Sequence, residues 1–590
     1  MSSRTIRIKL QVTRTAALLG LLVVSASQAS AQGVASPAKT PKAPQRPKLV
    51  VVLVVDQMRA DYVDKFGGQW TGGLKRLMEE GAWFRDAAYP YAATETCVGH
   101  ATISTGAFPA THGMISNQWW ERETQKKVTC TADPTATNVG YAGMSVKGGD
   151  SAWRMMVPAF ADELKFQGLG SGRVVTVSLK ARSAISMGGR KADAATWFDT
   201  GVGAWTTSSA YPKADFVEDY AKNHPASEDF GKPWSLSLPK SVYFYDEKAV
   251  GAGAPETWGA TFPHVLSGSQ GAKKADEVFY DQWATSPFAD TALTKIAEGA
   301  LDSLQLGKKD GTDYLGISYS SVDYVGHAYG PRSWEIQDVL VRLDKDLGDL
   351  FAQLDRKVGS GNYVVALSAD HGVAPIPDDI KQTGVDAGWL NMADVMMRIE
   401  KALETFDYTK PLIANVTGSD IYFSTGTYER LKSDPAAMRA VLDAIALVPG
   451  VARVYRREEL EDRPAANSPS KKAFAAGYFA SRSADLFVVD KAYWPVEYSP
   501  KEPLRNVGTT HGTYHYYDQR VPILLMGWGI QPGRYDGSVT PADIAPTLAS
   551  LCGLTLAQRD GRVLAEALKK FAAARVSKKP MPASTPNSKP

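Results

Sequence analysis

The segment TETCVGH (residues 94–100) contains two adjacent candidate nucleophiles, Thr96 and Cys97. A free threonine hydroxyl is a weak nucleophile at neutral pH, but coordination to a metal makes its alkoxide accessible. A cysteine thiolate would bind zinc tightly and is prone to oxidation outside the cytoplasm. The residues after Thr96 could begin a helix, whose free N–H groups favour an anionic phosphate. These arguments favour Thr96 as the reacting group, and a plain helix cap is the alternative.

Charged and imidazole side chains cluster at the ends of five predicted strands. Most follow a strand and one precedes the last strand, and they are Asp56, Lys180, Arg182, Asp323, His327, Asp370, His371 and His511. Because ligands bind at the carboxyl ends of parallel strands, we expect most of these side chains to share one edge. Each alone is weak evidence, since an aspartate after a strand is more often a cap or a turn residue. The group together is typical of a functional site.

The aspartates and histidines of this group suit a divalent metal, zinc especially. Asp323 and His327 are four residues apart, so a helical turn would put both on one face. Asp370 and His371 are adjacent at a strand end and can point at one metal region. Three aspartates and three histidines are enough for two metals. Paired metals roughly 3.5–4 Å apart clamp the attacking and leaving oxygens of an in-line displacement, for which phosphoryl transfer is the natural use.

The strands that position these side chains are predicted by continuous apolar runs. They are LVVVLVV (49–55), RVVTVSL (173–179), YLGISYS (314–320), YVVALSA (363–369) and VPILLMG (521–527). Such runs are typical of strands buried on both faces. The segment 333–354 is apolar at helical spacing between two of them. This alternation predicts an α/β fold with a central, mostly parallel sheet and helices on both faces.

Residues 49–575 are predicted to form one catalytic domain, in which two stretches interrupt the alternation. The first, about 187–290, is rich in Trp, Tyr, Gly and Ser, and the second, about 380–500, contains a small unit of its own. Insertions of this kind often form a cap over a site. Surface decoration is the alternative for each of them.

The chain begins with the features of an export signal, predicted to be residues 1–31. Its positive charges precede a short apolar stretch (16–26), and they are Arg4, Arg7, Lys9 and Arg14. The apolar stretch is too short to span a bilayer comfortably, so we expect no stable membrane insertion after cleavage. A flexible Pro- and Lys-rich tether (32–48) and a disordered tail (576–590) complete the predicted organisation. We predict an exported protein, periplasmic in a Gram-negative bacterium.

Charge and cysteine content argue against a nucleic-acid-binding protein and against a zinc-knuckle protein. The net charge of +3 becomes slightly negative without the signal, so a nucleic-acid surface is not indicated. The three cysteines, Cys97, Cys130 and Cys552, lack zinc-knuckle spacing. Because their number is odd, at least one is free or pairs between chains. One disulfide is compatible with an oxidising compartment, with its partners open.

The motifs resemble the alkaline phosphatase superfamily, on the branch shared with nucleotide pyrophosphatase/phosphodiesterases. More narrowly, they are similar to bacterial periplasmic alkaline phosphatases that use a threonine. The matching segments are VVDQMRADY (54–62), TETCVGHATISTGAFPATHGMISNQWW (94–120), SLKARSAI (178–185), SSVDYVGHAYG (320–330), SADHG (368–372) and GTTHGTYHYYDQRVPILLMG (508–527).

The resemblance implies a role for each candidate residue. Thr96 would be the nucleophile, forming a phosphothreonine, and two Zn²⁺ ions would be bound. One zinc would be held by Asp56, Asp370, His371 and Thr96. The second, which activates the hydrolytic water, would be held by Asp323, His327 and His511. Asn117, Lys180 and Arg182 would contact the phosphate oxygens.

Lys180 and Arg182 favour phosphate monoesters as substrates. The diesterase members of the family lack this pair, and a dianionic monoester gains more from two cations than a diester does. Small-molecule phosphate esters are therefore the expected partners of a chain that we expect to be monomeric. A phosphodiesterase or nucleotide pyrophosphatase is the alternative, and a binding protein without catalysis is a third hypothesis. Cys97 does not lie in the C-x-P-x-R signature of the related sulfatases.

Other histidines are given no catalytic role. His100 and His112 are expected to be packing or turn residues, and His224 and His264 lie in inserted regions. His515, four residues after His511, could compete with it as a metal ligand, but His511 carries the family match.

Overall fold

The computed structural model describes residues 46–168, 170–462, 466–497 and 507–570. The predicted signal peptide (1–31), most of the predicted tether and the predicted tail (576–590) lie outside the described residues. The last residue of the predicted tether, Lys48, is hydrogen-bonded to the folded domain. The Lys48 N–H donates to the Asn362 carbonyl (2.7 Å), and the Asp313 N–H donates to the Lys48 carbonyl (2.9 Å).

Strands and helices alternate along most of the chain. The strands are β1 (Leu49–Val55), β2 (Ala82–Phe84), β3 (Gln118–Glu121), β4 (Lys126–Thr129), β5 (Asn138–Gly140), β6 (Val174–Ser178), β7 (Ala194–Asp199), β8 (Ala204–Ser208), β9 (Pro233–Trp234), β10 (His264–Val265), β11 (Asp313–Tyr319), β12 (Tyr363–Ser368), β13 (Leu390–Asn391), β14 (Ile413–Thr417), β15 (Asp420–Phe423), β16 (Val451–Arg456), β17 (Leu486–Asp490), β18 (Val496–Glu497), β19 (Ile523–Gly527) and β20 (Gly533–Tyr535).

The helices are α1 (Asp61–Phe66), α2 (Gly73–Glu80), α3 (Thr96–Thr105), α4 (Pro109–His112), α5 (Phe160–Gln167), α6 (Ala181–Gly188), α7 (Asp215–Asn223), α8 (Glu277–Ala284), α9 (Pro287–Ser303), α10 (Ser321–Tyr329), α11 (Trp334–Leu354), α12 (Pro377–Gln382), α13 (Met392–Leu403), α14 (Thr427–Ser433), α15 (Pro435–Ala446), α16 (Arg457–Glu461), α17 (Pro469–Gly477), α18 (Tyr516–Gln519) and α19 (Ile544–Cys552). Among the described ranges, no helix combines the length and apolar character needed to cross a bilayer.

A mixed ten-stranded sheet forms the centre, in the order β20-β2-β19-β12-β1-β11-β6-β7-β8-β5. Strands β12, β1, β11, β6 and β7 are parallel to one another, which confirms the predicted α/β class. Alternate residues of β1 face different cores, since Val51 and Leu53 pack in one and Val50 and Val52 in the other. Coverage on both faces explains why β1 is a continuous apolar run.

Strand β19 runs antiparallel to β12, unlike its parallel neighbours. Its ladder begins at Ile523, two residues after the start of the apolar run, because Pro522 has no N–H to donate. The loop before β19 therefore lies at the same edge of the sheet as the loops after the parallel strands.

The two predicted insertions differ in structure. In the first, β7 and β8 extend the central sheet. Both strands are short and rich in Trp and Thr, so they lack the apolar run that marks the other sheet strands. The second contains a separate four-stranded antiparallel sheet, β14-β15-β17-β16, with a core of its own that includes Val395, Val441 and Val488.

Candidate active site

The ends of the central strands bring the predicted site residues to one edge of the sheet. Val54 in β1 lies opposite Ser368 in β12, so Asp56 and Asp370 leave the sheet at the same level. Helix α10 directly follows β11 and carries Asp323 in its first turn and His327 in its last. His511 reaches the same edge from the loop that precedes the antiparallel β19.

Two overlapping groups of side chains have the geometry of metal ligands. In one, ligand atoms of Asp56, Asp370 and His371 all lie within 4.8 Å of one another, and in the other those of Asp323, His371 and His511 do. His371 belongs to both, and its ring stacks on that of His511 with centroids 3.6 Å apart. His327, expected in the second group, lies beside it with Nε2 3.4 Å from Asp323 Oδ1.

The histidines of these groups are oriented by backbone carbonyls. Nδ1 of His371 donates to Gly372 O (2.9 Å), that of His327 to Thr509 O (2.9 Å) and that of His511 to Thr94 O (2.8 Å). A carbonyl accepts only, so each Nδ1 carries the hydrogen and each Nε2 presents its lone pair to the carboxylates. Such outer contacts are typical of metal-binding imidazoles.

The residues present fit divalent cations. The buried atoms Asp56 Oδ1, Asp370 Oδ2 and His371 Nε2 make no hydrogen bond with any described residue. Leaving three such atoms unpaired in one buried group is costly, and a bound cation would satisfy them together. The donor set of carboxylate oxygens and imidazole nitrogens suits zinc.

The electrostatics of the site agree with this fit. Burial, together with the carboxylates of Asp323 and Asp370, raises the pKa of Asp56 well above its ordinary value, although Lys180 opposes the shift. Burial lowers the pKa of His371, and burial with the neighbouring His371 and His327 lowers that of His511. Both imidazoles are therefore neutral at neutral pH, as metal ligands must be.

Lys180 lies among the carboxylates. Its Nζ is 2.6 Å from Asp56 Oδ2 and 2.5 Å from Asp323 Oδ2, and only 5 % of the residue is exposed. Burial would lower the pKa of Lys180, but Asp323 and Asp56 outweigh burial and raise it, so the ammonium stays charged. Arg182, two residues later in α6, lines the adjoining cavity.

Thr96 is the first residue of α3 and lines an open cavity of about 450 Å³. The cavity wall also includes Asn117, Arg182, Asp323, Tyr324, His327 and His511. Helix α3 packs tightly on the loop after β12, since a Cβ at Gly99 would lie 2.1 Å from the Asp370 carbonyl oxygen. The predicted helix after Thr96 is therefore present, and a small residue lets it approach the metal-ligand group.

His100 has contacts beyond the packing role expected from the sequence. Its Nδ1 donates to the Thr96 carbonyl (2.8 Å) and lies 3.2 Å from Asp370 Oδ2. Its Nε2 is 2.8 Å from the Ser318 hydroxyl, which donates to it because Nδ1 carries the hydrogen. The spacing of four residues from Thr96 on one helix was the available signal.

Two other histidines lie outside the metal-ligand groups. His515 Nε2 is 3.1 Å from Asp490 Oδ2, whereas His511 Nε2 is 3.7 Å from Asp323 Oδ1, so the structure separates these two candidates. His112 accepts the Met114 N–H at Nδ1 and contacts Thr102, as expected of a turn residue.

Cys97 and Cys130 form a disulfide, and Cys552 is a buried free thiol. Of the two candidate nucleophiles, this leaves Thr96 available. The sequence predicted that one disulfide was compatible with the compartment but not which cysteines form it.

A mixed sheet with a hydroxyl and candidate metal ligands at its carboxyl edge has the groups that a metal-dependent phosphoester hydrolase needs. Residues 50–516 match the family described as "Type I phosphodiesterase / nucleotide pyrophosphatase". The chain belongs to this family, which confirms the predicted family and enzyme class.

Relatives include the alkaline phosphatase PafA of Elizabethkingia meningoseptica, 34 % identical over 544 residues (90 % of this chain and 95 % of that protein). The alkaline phosphatase PhoV of Synechococcus elongatus is 31 % identical over 572 residues (93 % and 99 %). The crystal structure of PafA has a TM-score of 0.81 at 32 % identity and covers 90 % of this chain and 100 % of that one. Murine ectonucleotide pyrophosphatase/phosphodiesterase 5 shares the fold, with a TM-score of 0.51 at 15 % identity over 89 % of this chain and 100 % of that one.

Proposed function

We propose that the chain is an alkaline phosphatase that hydrolyses phosphate monoesters through a phosphothreonine at Thr96. Two zinc ions would be held by Asp56, Asp370, His371 and Thr96 on one side and by Asp323, His327 and His511 on the other. The observation that carries the proposal is that Thr96 lines the same cavity as Asp323, His327 and His511. Bound there, zinc would supply Lewis-acid charge that lowers the pKa of the threonine hydroxyl and of a water.

Thr96 would attack phosphorus in line, and the alcohol would leave from the opposite side. Water would then attack the phosphothreonine, releasing phosphate and restoring the hydroxyl. His100 supports the first step because its Nδ1–H fixes the Thr96 carbonyl, and with it the first turn of α3. The Cys97 N–H donates to Asn117 Oδ1, so it is the positive end of the α3 dipole, rather than this N–H group, that would favour the negative charge of the transferring group.

Asn117, Lys180 and Arg182 would bind the non-bridging oxygens of the phosphoryl group. Hydrogen bonds from charged donors to phosphate are roughly twice as strong as neutral ones. A PafA variant with a TM-score of 0.80 to this chain has a threonine, an asparagine, a lysine and an arginine replaced. Its threonine and asparagine are spaced as Thr96 and Asn117 are here, and its lysine and arginine as Lys180 and Arg182 are. This correspondence supports a common phosphate-binding set.

A phosphodiesterase is the second candidate, favoured by one observation. Lys180 Nζ is engaged by Asp56 and Asp323, which leaves Arg182 as the cation that lines the cavity. A site with one cation available suits a monoanionic diester. Rates on an aryl phosphate monoester and on the matched aryl methyl diester separate the two functions, and a faster diester reaction would overturn the monoesterase proposal.

Replacement of the proposed nucleophile tests the mechanism. We expect Thr96→Ala to lower kcat for an aryl phosphate by about 10⁴-fold or more, as loss of a nucleophile does elsewhere. Thr105→Ala, at the other end of α3, is the matched control and should keep its activity. Acid-quenched enzyme should carry phosphate on Thr96 by mass spectrometry. Phosphate on another residue, or an active Thr96→Ala enzyme, would contradict the mechanism.

We also propose that the mature chain acts in the periplasm as a monomer. The positively charged start, the apolar stretch 16–26 and the small residues at 29–31 support export. The Cys97–Cys130 disulfide is typical of an oxidising compartment. N-terminal sequencing of protein from a periplasmic extract should begin at Gln32, and light scattering should give the mass of one chain.

A further inference from the structure

Asn117 is fixed from three directions. Its own N–H donates to Glu95 Oε2 (2.7 Å), and its side-chain Oδ1 accepts the Cys97 N–H (2.8 Å). Its carbonyl accepts the Cys130 N–H (3.0 Å). Both cysteines that hold Asn117 are joined in the Cys97–Cys130 disulfide. The backbone and the side chain of Asn117 are therefore each bound by one half of the same cystine.

The disulfide connects two different elements of the site. Cys97 is the second residue of α3, directly after Thr96. Cys130 directly follows β4, which pairs with β3 in a two-stranded hairpin, and Asn117 directly precedes β3. The disulfide therefore links the helix that carries Thr96 to the base of the hairpin that carries Asn117.

The contact with Cys97 also decides which way the amide points. A backbone N–H needs an acceptor, so the atom facing Cys97 is the amide oxygen, and the NH₂ group points away from it. Asn117 lines the same cavity as Thr96 and Arg182, so the NH₂ group is available to an anion bound there. If the hairpin shifted relative to α3, this donor would move relative to Thr96.

We propose that the Cys97–Cys130 disulfide is a positioning element of the active site. It holds Asn117 so that the amide NH₂ meets a phosphate oxygen at the distance set by Thr96. The proposal rests on the proposed function, in which Asn117 binds the transferring phosphoryl group. Neither cysteine contacts the substrate in this role, and the disulfide acts through Asn117.

The hairpin has other anchors, so loss of the disulfide should loosen its position without unfolding it. Trp119 in β3 is 1 % exposed, and the Arg154 and Arg482 guanidinium groups lie 5.6 and 5.0 Å from the centre of its ring system. Arg154 also pairs with Glu121 at 2.6 Å. These contacts belong to β3 and would remain after substitution of the cysteines.

A double-mutant cycle in the full mature enzyme tests the proposal. One variant carries Cys97→Ala with Cys130→Ala, the second carries Asn117→Ala, and the third carries all three changes. We expect about a 100-fold loss of kcat/KM for an aryl phosphate with Asn117→Ala, as for loss of a transition-state donor, and about 10-fold without the disulfide. In the Asn117→Ala background, removal of the disulfide should cost less than about twofold, because the group it positions is gone.

Phosphate inhibition, with a control variant, separates positioning from general stability. Inhibition by inorganic phosphate should weaken about 10-fold without the disulfide, and this loss should also vanish in the Asn117→Ala background. Cys552→Ala, which removes the buried free thiol, is the matched control and should leave phosphate inhibition and kcat/KM unchanged.

A purely structural disulfide would give a different result. The melting temperature would fall. Removal of the disulfide would lower kcat/KM by the same factor with and without Asn117→Ala, and phosphate inhibition of the folded enzyme would not change. That outcome overturns this inference alone. If Asn117→Ala itself left kcat/KM unchanged, the phosphate-binding role of Asn117 in the proposed function would fail instead.

Discussion

The carboxyl edge of the central sheet and the inserted sheet β14-β15-β17-β16 are built differently. Every residue of β1 is buried, whereas β14 and β16 are partly exposed along most of their length. The central edge supplies the carboxylates and imidazoles of the site. Among the described residues of the inserted sheet, Thr417 is the one that lines the cavity. Most candidate site residues thus lie next to strands that packing fixes on both faces, and the separate sheet contributes to the cavity wall.

Metal removal should affect the two regions most unequally. We expect a chelator to lower the hydrolysis rate by at least about 1,000-fold, and added Zn²⁺ to restore it. Without cations the buried carboxylates of Asp56, Asp323 and Asp370 repel one another, so amide exchange should rise in α3 and α10. Exchange in β15 and β17 should not change. An equal rise in amide exchange in both regions would contradict the expectation that only the carboxyl edge of the central sheet depends on bound metal.

Gly99→Ala should disrupt the carboxyl edge of the central sheet through packing alone. The new Cβ would lie 2.1 Å from the Asp370 carbonyl oxygen, so α3 must move away from β12. We expect about a 100-fold lower kcat/KM and a loss of about 1–3 kcal/mol in stability, as for other overpacked sites. Gly477→Ala in α17, where a Cβ meets nothing within 4 Å, is the control and should change neither.

Lys180→Ala should separate substrate classes. Loss of this cation should lower kcat/KM about 30-fold for an aryl monoester and less than about threefold for the matched diester, because a dianion gains more from it. The exposed Lys191, three residues after α6 ends, offers the control, Lys191→Ala, with wild-type rates on both substrates. Equal losses on the two substrates would remove the reason to favour monoesters.

Asp290 should make stability fall as pH rises. Burial raises the pKa of this α9 carboxyl from 3.8 to about 7, although Ser321 donates to it. In the unfolded chain Asp290 ionises near pH 4, whereas in the folded chain it stays protonated up to about pH 7. The free energy of unfolding therefore falls as the pH rises from about 4 to 7. Asp290→Asn should reduce the loss of unfolding free energy between pH 5 and 8 by about 2 kcal/mol in urea titrations. The exposed Asp215→Asn is the control, and an unchanged pH dependence in Asp290→Asn would contradict this assignment.

Thr417→Ala should have the smallest effect. Its hydroxyl accepts from Asn415 Nδ2 (2.8 Å) and forms part of the outer wall. We expect KM to change by less than about threefold and kcat to stay constant, since uniform binding affects KM alone. A large fall in kcat would mean that the insertion takes part in the reaction itself.

The sequence predicted the parts of the fold that have strong local patterns. Strand β1 was predicted at its observed bounds because polar Lys48 and Asp56 flank an unbroken apolar run. Helix α11 begins one residue later than predicted, where the Ser333 side chain accepts the Ile336 N–H as a cap. The convergence of the site residues followed from the rule that parallel strands present their carboxyl ends together.

Other features depend on contacts between distant segments and had no local signal. The direction of β19, the Cys97–Cys130 pairing and the salt bridges of Lys180 all depend on which segments become neighbours after folding. The position of His371 between the two metal-ligand groups is of the same kind. A sequence can give the types of these residues but not their partners.

Strand β19 lies late in the chain, and this sets when the candidate site is completed during biosynthesis. Its preceding loop delivers His511 to an edge whose first ligand, Asp56, lies near the start of the folded body. A growing chain lacks this last imidazole until nearly nine-tenths of its residues have been made. If the chain is exported as proposed, the proposed metal site, and with it hydrolysis, is complete only when export is almost finished.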